Sequence, residues 1–259
     1  MASFEIPYNF NFDGQYFGGD GKNFHGLHSI PKEKIDSIYL PAWKEDAITT
    51  RFSIGHMPKT LDEYRQHLSN LRDQGYPLSV LFQRNADFEK IKSYIEDYGV
   101  TGFTLNDDFL AARIKDKYGD QVNLKKSLTS KLMPEDIKNG DYSMYDNICL
   151  WFWYNRHIND LKKLPDKYNY TILVNSFCLW NCPYTEEHWF GEEALKIPPC
   201  IVNGAMVLRQ KLENNCYILP KDLPLFEPYV SVFKFEGREK SSKIIFNDIN
   251  KVISTQTNV

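Results

Sequence analysis

The sequence predicts an α/β protein of the (β/α)8, TIM-barrel-like class, regular or somewhat irregular. Three observations carry this. Short apolar runs alternate with amphipathic helical stretches along the chain, as strands and crossover helices of a parallel sheet do. Eight such runs occur, the number a closed parallel barrel needs. No Gly-rich phosphate fingerprint follows the first run, because Phe17-Gly18-Gly19-Asp20-Gly21 comes too late and lacks the spacing. An open doubly wound parallel sheet is therefore the runner-up.

Phe4 to Asn9 is the first strand and Ile35 to Leu40 the second. Thr60 to Gln74 reads as a helix, with Thr60 as cap, Glu63 completing a capping box and Gly75 at the end. Leu61, Tyr64, Leu68 and Leu71 recur there at helical spacing. Leu78 to Phe82 is the third strand. Asp87 caps a helix carrying Phe88, Ile91, Ile95 and Tyr98, closed by Gly99. Val100 to Leu105 is the fourth strand, Asp108 to Tyr118 a helix closed by Gly119, and Val122 to Leu128 the fifth strand. Asn147 to Trp153 is the sixth, apolar nearly throughout, as a strand buried on both faces is. His157 to Lys167 is helical up to an interruption at Pro165, and Thr171 to Val174 is the seventh strand. The rhythm then fails from Asn175 to Pro220, and long irregular stretches inside compact domains are usually functional. Val230 to Phe235 is the eighth strand and Ile244 to Ile253 a closing helix. Residues 1–253 thus form one barrel-like domain with a Cys-bearing irregular insertion at 175–220, and 254–259 a flexible tail.

The composition bounds the function. With 31 Lys+Arg against 34 Asp+Glu, there is no basic excess for general nucleic-acid binding. No apolar run approaches the ~20 residues of a membrane helix. The first residues, Met1 to Glu5, lack the features of a signal peptide. A cytoplasmic location is expected, where clustered cysteines point to metal or redox chemistry rather than structural bridges.

Four of the 5 cysteines fall in the irregular stretch: Cys178, Cys182, Cys200 and Cys216. Four thiolates converging on one end of a barrel suit an iron–sulfur cluster or zinc. The alternative is a set of small buried thiols. Cys149, between Ile148 and Leu150, reads as a packing residue. A second signal is Lys234-Phe235-Glu236-Gly237-Arg238. In a strand Lys234, Glu236 and Arg238 share a face, so they point into a polar mouth or pair with one another. Active sites lie at the C-terminal ends of such strands. Other strand ends add Asn9, Gln83, Arg84, Asn106, Asp107, Ser127, Thr129, Asn155, Arg156 and Asn175 to the same mouth. The set suits an anionic substrate, while each residue alone is an ordinary cap or turn residue. His188, six residues after Cys182, is either a loop histidine or an acid/base or metal ligand. No Gly-x-Ser-x-Gly elbow and no His-Glu-x-x-His occurs.

At these residues the chain resembles a known family. Asn175-Ser-Phe-Cys178-Leu-Trp-Asn-Cys182-Pro183 with His188 is similar to the cysteine-bearing region of the collagenase-like peptidases, family thirty-two of the class of unassigned catalytic type. Cys216 with Asp222-Leu223, followed by Lys234-Phe235-Glu236-Gly237-Arg238, resembles that family's other hallmark, with Phe235 where Ile is usual. The similarity is specific over Asn175 to Arg238. The usual Ala-rich helix after strand one is replaced by a polar, Gly-rich stretch from Phe10 to Lys34. The resemblance implies a barrel-like fold and a four-iron, four-sulfur cluster on Cys178, Cys182, Cys200 and Cys216, with zinc as the alternative. Several members resemble parts of oxygen-independent hydroxylation systems in RNA modification or ubiquinone synthesis.

The leading expectation is thus an iron–sulfur enzyme modifying a small anionic molecule or a nucleotide. Glu236 or His188 is its acid/base. Lys234, Arg238, Asn175, Asn106, Asp107 and Arg156 are its substrate-binding residues. The alternatives are a metal-dependent hydrolase or peptidase, and a non-catalytic partner subunit.

Overall fold

A computed structural model of the chain describes residues 2–10, 16–17, 26–46, 57–82, 86–182, 215–237 and 242–256. Strands β1 (Ser3–Pro7), β2 (Ile35–Pro41), β3 (Leu78–Phe82), β4 (Gly102–Leu105), β5 (Asn123–Lys126), β6 (Asn147–Cys149), β7 (Tyr170–Leu173) and β8 (Val232–Lys234) pair in sequence order. All pairs are parallel, and β8 returns to pair with β1, which closes the barrel. Closure excludes the open doubly wound sheet.

Local sequence explains the helices. Thr60 Oγ1 accepts from the Glu63 N–H at 3.2 Å and Glu63 accepts from the Thr60 N–H, so α1 (Leu61–Asp73) starts with the expected capping box. It buries Tyr64, Leu68 and Leu71. Asp87 and Asp107 cap α2 (Phe88–Glu96) and α3 (Asp108–Tyr118), each accepting an N–H at 2.9 Å. A short α4 (Pro134–Asn139) was not expected from the pattern. Pro134 starts it, and the Asp136 carboxylate accepts from the Met133 N–H at 2.8 Å. The helix before β7 is only α5 (Ile158–Leu161), well short of Pro165. The closing helix, α6 (Ser242–Gln256), runs past the expected end at Ile253, so the tail does not begin at 254.

The two faces of the strands differ. Outward residues such as Phe4, Ile38, Val80, Phe103, Leu124, Ile172 and Phe233 are buried in the main apolar core. The inward residues are largely polar. The registers pair Glu5 with Ser37 and Lys234, Ser79 with Tyr39, and Thr104 with Lys125. Side chains of alternate strands share a layer in such barrels. The middle layer is then Glu5, Ser79, Lys125 and Thr171, and the layer above it Tyr39, Thr104, Cys149 and Lys234. Branched aliphatic residues usually fill these positions. The sixth strand is buried throughout, as its sequence predicts, but it ends at Cys149 rather than Trp153, and its inner face carries Asn147 and Cys149.

Candidate functional site

A network of buried charges spans the barrel interior. Glu5 on β1 is fully buried, 3.3 Å from the Lys125 ammonium across the barrel and 3.0 Å from that of Lys234. Lys125 also binds Asp36 and donates to Ser37 Oγ at 3.3 Å. A register irregularity between Phe4 and Glu5 skips Asp36, a bulge-like break that lets its carboxylate join the network. Burial alone would raise the Glu5 carboxyl, yet Lys125 and Lys234 hold it below its usual range. Burial alone would lower the Lys125 ammonium, yet Glu5 and Asp36 hold it above its usual range. Lys234 lies 4.0 Å above the Tyr39 ring, and the Tyr39 hydroxyl donates to the Phe235 carbonyl at 2.6 Å.

Cys149 is buried, as the packing reading expects, and it stands in the interior beside the charge network. It feels Lys234, Glu5, Lys125 and Asp36, and burial pushes its thiol up to about 11. Sequence reasoning missed Glu5, Asp36 and Lys125. For Glu5 the signal was a charged residue between the apolar Phe4 and Ile6 of a strand; Lys125, followed by Lys126, and Asp36, at the register irregularity, carried no such contrast.

The second part of the site lies above strands β6 to β8. Cys216 N–H donates to the Cys178 carbonyl at 2.8 Å, and Leu179 and Asn215 form an isolated antiparallel bridge. Two cysteines far apart in sequence are thereby held on neighbouring backbone. Cys216 is buried with Trp151, Phe152 and Leu173, and Cys178 and Trp180 pack against this cluster. Burial pushes the Cys216 thiol well up. Cys178, Glu236 and Cys182 add to the rise, and Arg156 opposes it. Among the described residues, no group of three or more His, Cys, Asp or Glu side chains is arranged to hold a metal ion. Cys200, His188 and Arg238 lie outside the described residues.

The other expected site residues are placed as follows. Asn175 accepts from the Glu236 N–H at 2.7 Å and donates to the Glu236 carbonyl at 3.0 Å. It therefore clamps the backbone of the half-buried Glu236. Gly237 follows with φ 129°, a conformation that favours glycine. β8 ends at Lys234, so Glu236 stands beyond the strand rather than on its inner face. Arg156 donates to the Tyr217 carbonyl at 2.7 Å and to its neighbour Asn155 at 3.0 Å. Burial draws its guanidinium below the usual range, and Cys216 and Asp222 oppose this. Asn155 donates to the carbonyls of Leu173 (2.7 Å) and Cys216 (2.6 Å). Both residues hold the Cys216 segment onto the barrel. Asn106 binds Thr129 at 2.7 Å and Ser130 at 2.8 Å, fixing the turn after β5. Asp107 is a helix cap.

No family model matches the chain. The chain is 24% identical over 160 residues to a protein named Uncharacterized protease MJ1657 of Methanocaldococcus jannaschii, matching 57% of this chain and 48% of that protein. The match thus spans about half the length of that curated relative. The solved structure of the U32 peptidase Mk0906 superposes with a TM-score of 0.58 at 14% identity, covering 92% of this chain and 94% of that one. The fold is similar to that of this U32 peptidase. It agrees with the barrel-like fold that the collagenase-like resemblance implies. At this identity the U32 structure establishes the shared fold. Among the described residues, no helix is long and apolar enough to cross a membrane.

Proposed function

We propose that the chain is a U32-like iron–sulfur enzyme acting at the C-terminal mouth of its barrel on a small molecule or nucleotide. One observation carries the reading. The Cys178 carbonyl accepts from the Cys216 N–H, which holds two cysteines together above β7, with Cys182 and Cys178 both close enough to perturb Cys216. The donor chemistry fits an iron–sulfur cluster or zinc, since thiolates bind both. The described residues alone do not complete a three-donor set, and Cys200 would be the fourth ligand. A bound cluster would supply one-electron redox or Lewis-acid chemistry.

The chain's own residues supply the rest. Arg156 places positive charge beside Cys216 and so offsets thiolate charge. Asn155 fixes the Cys216 carbonyl and Arg156 that of Tyr217 next to it. Asn175 aims Glu236, the expected acid/base, by holding its backbone on both sides. Glu5 already balances Lys234, which leaves anion recognition to Arg238 and hydrogen-bond donation to Lys234.

The test is anaerobic purification followed by a visible spectrum and an iron, sulfide and zinc count. About four irons and four sulfides per chain are expected, falling sharply in Cys178→Ala and Cys216→Ala. Full iron in both variants, or a colourless protein after anaerobic reconstitution, overturns the reading. One zinc per chain would instead support a hydrolase.

A further inference from the structure

The upper interior layer of the barrel contains polar groups that the fold itself does not use. Thr104 Oγ1, in that layer, and Ser79 Oγ, one layer below, are buried and have no hydrogen-bond partner among the described residues. Thr104 is 3% exposed and Ser79 fully buried. A buried hydroxyl without a partner costs stability, so native proteins rarely keep one without a use. Opposite Thr104 on β8 stands Lys234, with a side chain 13% exposed. An ammonium has three N–H donors. One is used by Glu5 and one face lies on the Tyr39 ring, which leaves a third donor without a partner among the described residues. Tyr39 and Cys149 complete the layer.

Charge decides what this socket can take. Two carboxylates, Glu5 and Asp36, already balance two ammonium groups, Lys125 and Lys234. A carboxylate or phosphate entering the interior would bring an unmatched buried charge. A neutral acceptor oxygen would accept from both Lys234 and Thr104 without upsetting the balance. We propose that Tyr39, Thr104, Cys149 and Lys234 form a socket for a neutral carbonyl oxygen, of the amide type, on the substrate. The inference rests on the reading of the C-terminal mouth as the substrate site and specifies the group that reaches deepest into it. Lys234 and Thr104 polarise that carbonyl, and Glu5 positions Lys234.

The test needs neither substrate nor metal. Methyl-labelled threonine gives an NMR signal for Thr104, assigned by its loss in Thr104→Val. Acetamide is titrated as the probe, with acetate as the charged control of the same size. The expected result is a saturable shift of the Thr104 methyl with acetamide, absent in Lys234→Met and much weaker with acetate. Thr104→Val should also melt at or above the wild-type temperature, because it removes a hydroxyl that had no partner. Iron is counted on the same samples, so loss of iron with an intact acetamide response strikes the cluster and spares the socket. No shift with either probe overturns the socket. A response to acetate alone overturns its neutrality. A lowered melting temperature in Thr104→Val shows that the hydroxyl serves the fold and also overturns the proposal.

Discussion

Lys125→Met is the sharpest test of the buried network. The substitution keeps the length of the aliphatic stem and removes the ammonium. Lys125 contacts Glu5 at 3.3 Å, Asp36, and Ser37 at 3.3 Å, and only 2% of its side chain is exposed. Its loss leaves the fully buried Glu5 with Lys234 alone, while Asp36 retains some access to solvent. Breaking one partner out of a buried ion pair costs about 3–5 kcal/mol. At roughly 2–4 °C per kcal/mol for a domain of this size, the melting temperature should fall by about 6–20 °C. The assay is thermal unfolding at pH 7 followed by far-ultraviolet circular dichroism. The double variant Glu5→Gln/Lys125→Met should lose less than the sum of the two singles, with a coupling of about 2 kcal/mol, because the second change removes a charge already left without its partner. A loss below about 1 kcal/mol in Lys125→Met, or strict additivity in the double variant, would refute the network as a coupled unit.

Further outcomes follow from the same geometry. Folding holds the Glu5 carboxyl below its usual 4.5, so its stabilisation is present above that pH and is lost as pH falls through the folded value. Urea midpoints measured from neutral pH downward should therefore drop less steeply in Glu5→Gln than in wild type; parallel curves would argue against it. Cys149, with its thiol pushed up to about 11, should resist iodoacetamide at pH 8 in the native protein and react on unfolding. Rapid native labelling of Cys149, mapped by mass spectrometry, would contradict its placement. Thr60→Ala removes one half of the capping box of α1 and should cost about 1 kcal/mol in urea unfolding, with no change in metal content.

The fold was legible because its signals are local. Thr60, Asp87 and Asp107 mark helix starts through side-chain oxygens a few residues from the N–H groups they satisfy. Asp108–Tyr118 is bounded correctly for the same reason, and Leu78–Phe82 because its continuous apolar run coincides with the strand. Strand ends were overextended at β5, β6 and β8, where apolar sequence continues past the last ladder bond into a turn or 3-10 segment. The mouth was legible as a list of residue types, and the cysteines and the Lys234 to Arg238 run drew attention to it. The sequence could not tell polar groups that face a substrate from those that brace backbone. Asn155, Arg156 and Asn175 are largely of the second kind. The charge network stayed hidden for a different reason. Glu5 and Lys125 are 120 positions apart and lie on opposite strands, and only closure of the barrel brings them into contact.

The clamp of Asn175 on Glu236 also bears on how this fold can change. The two residues are 61 positions apart, and their mutual bonds tie the root of the long excursion between β7 and β8 to itself. Asn155 tightens the same root from β7 to Cys216. Once a loop is tied at its base, lengthening it costs only the slow logarithmic rise of closure entropy, about 0.6 kcal/mol per doubling. Such an excursion can be lengthened, shortened or exchanged between related chains while the barrel below keeps its register. Its variation is then free to follow the substrate, and the eight strands need not evolve with it.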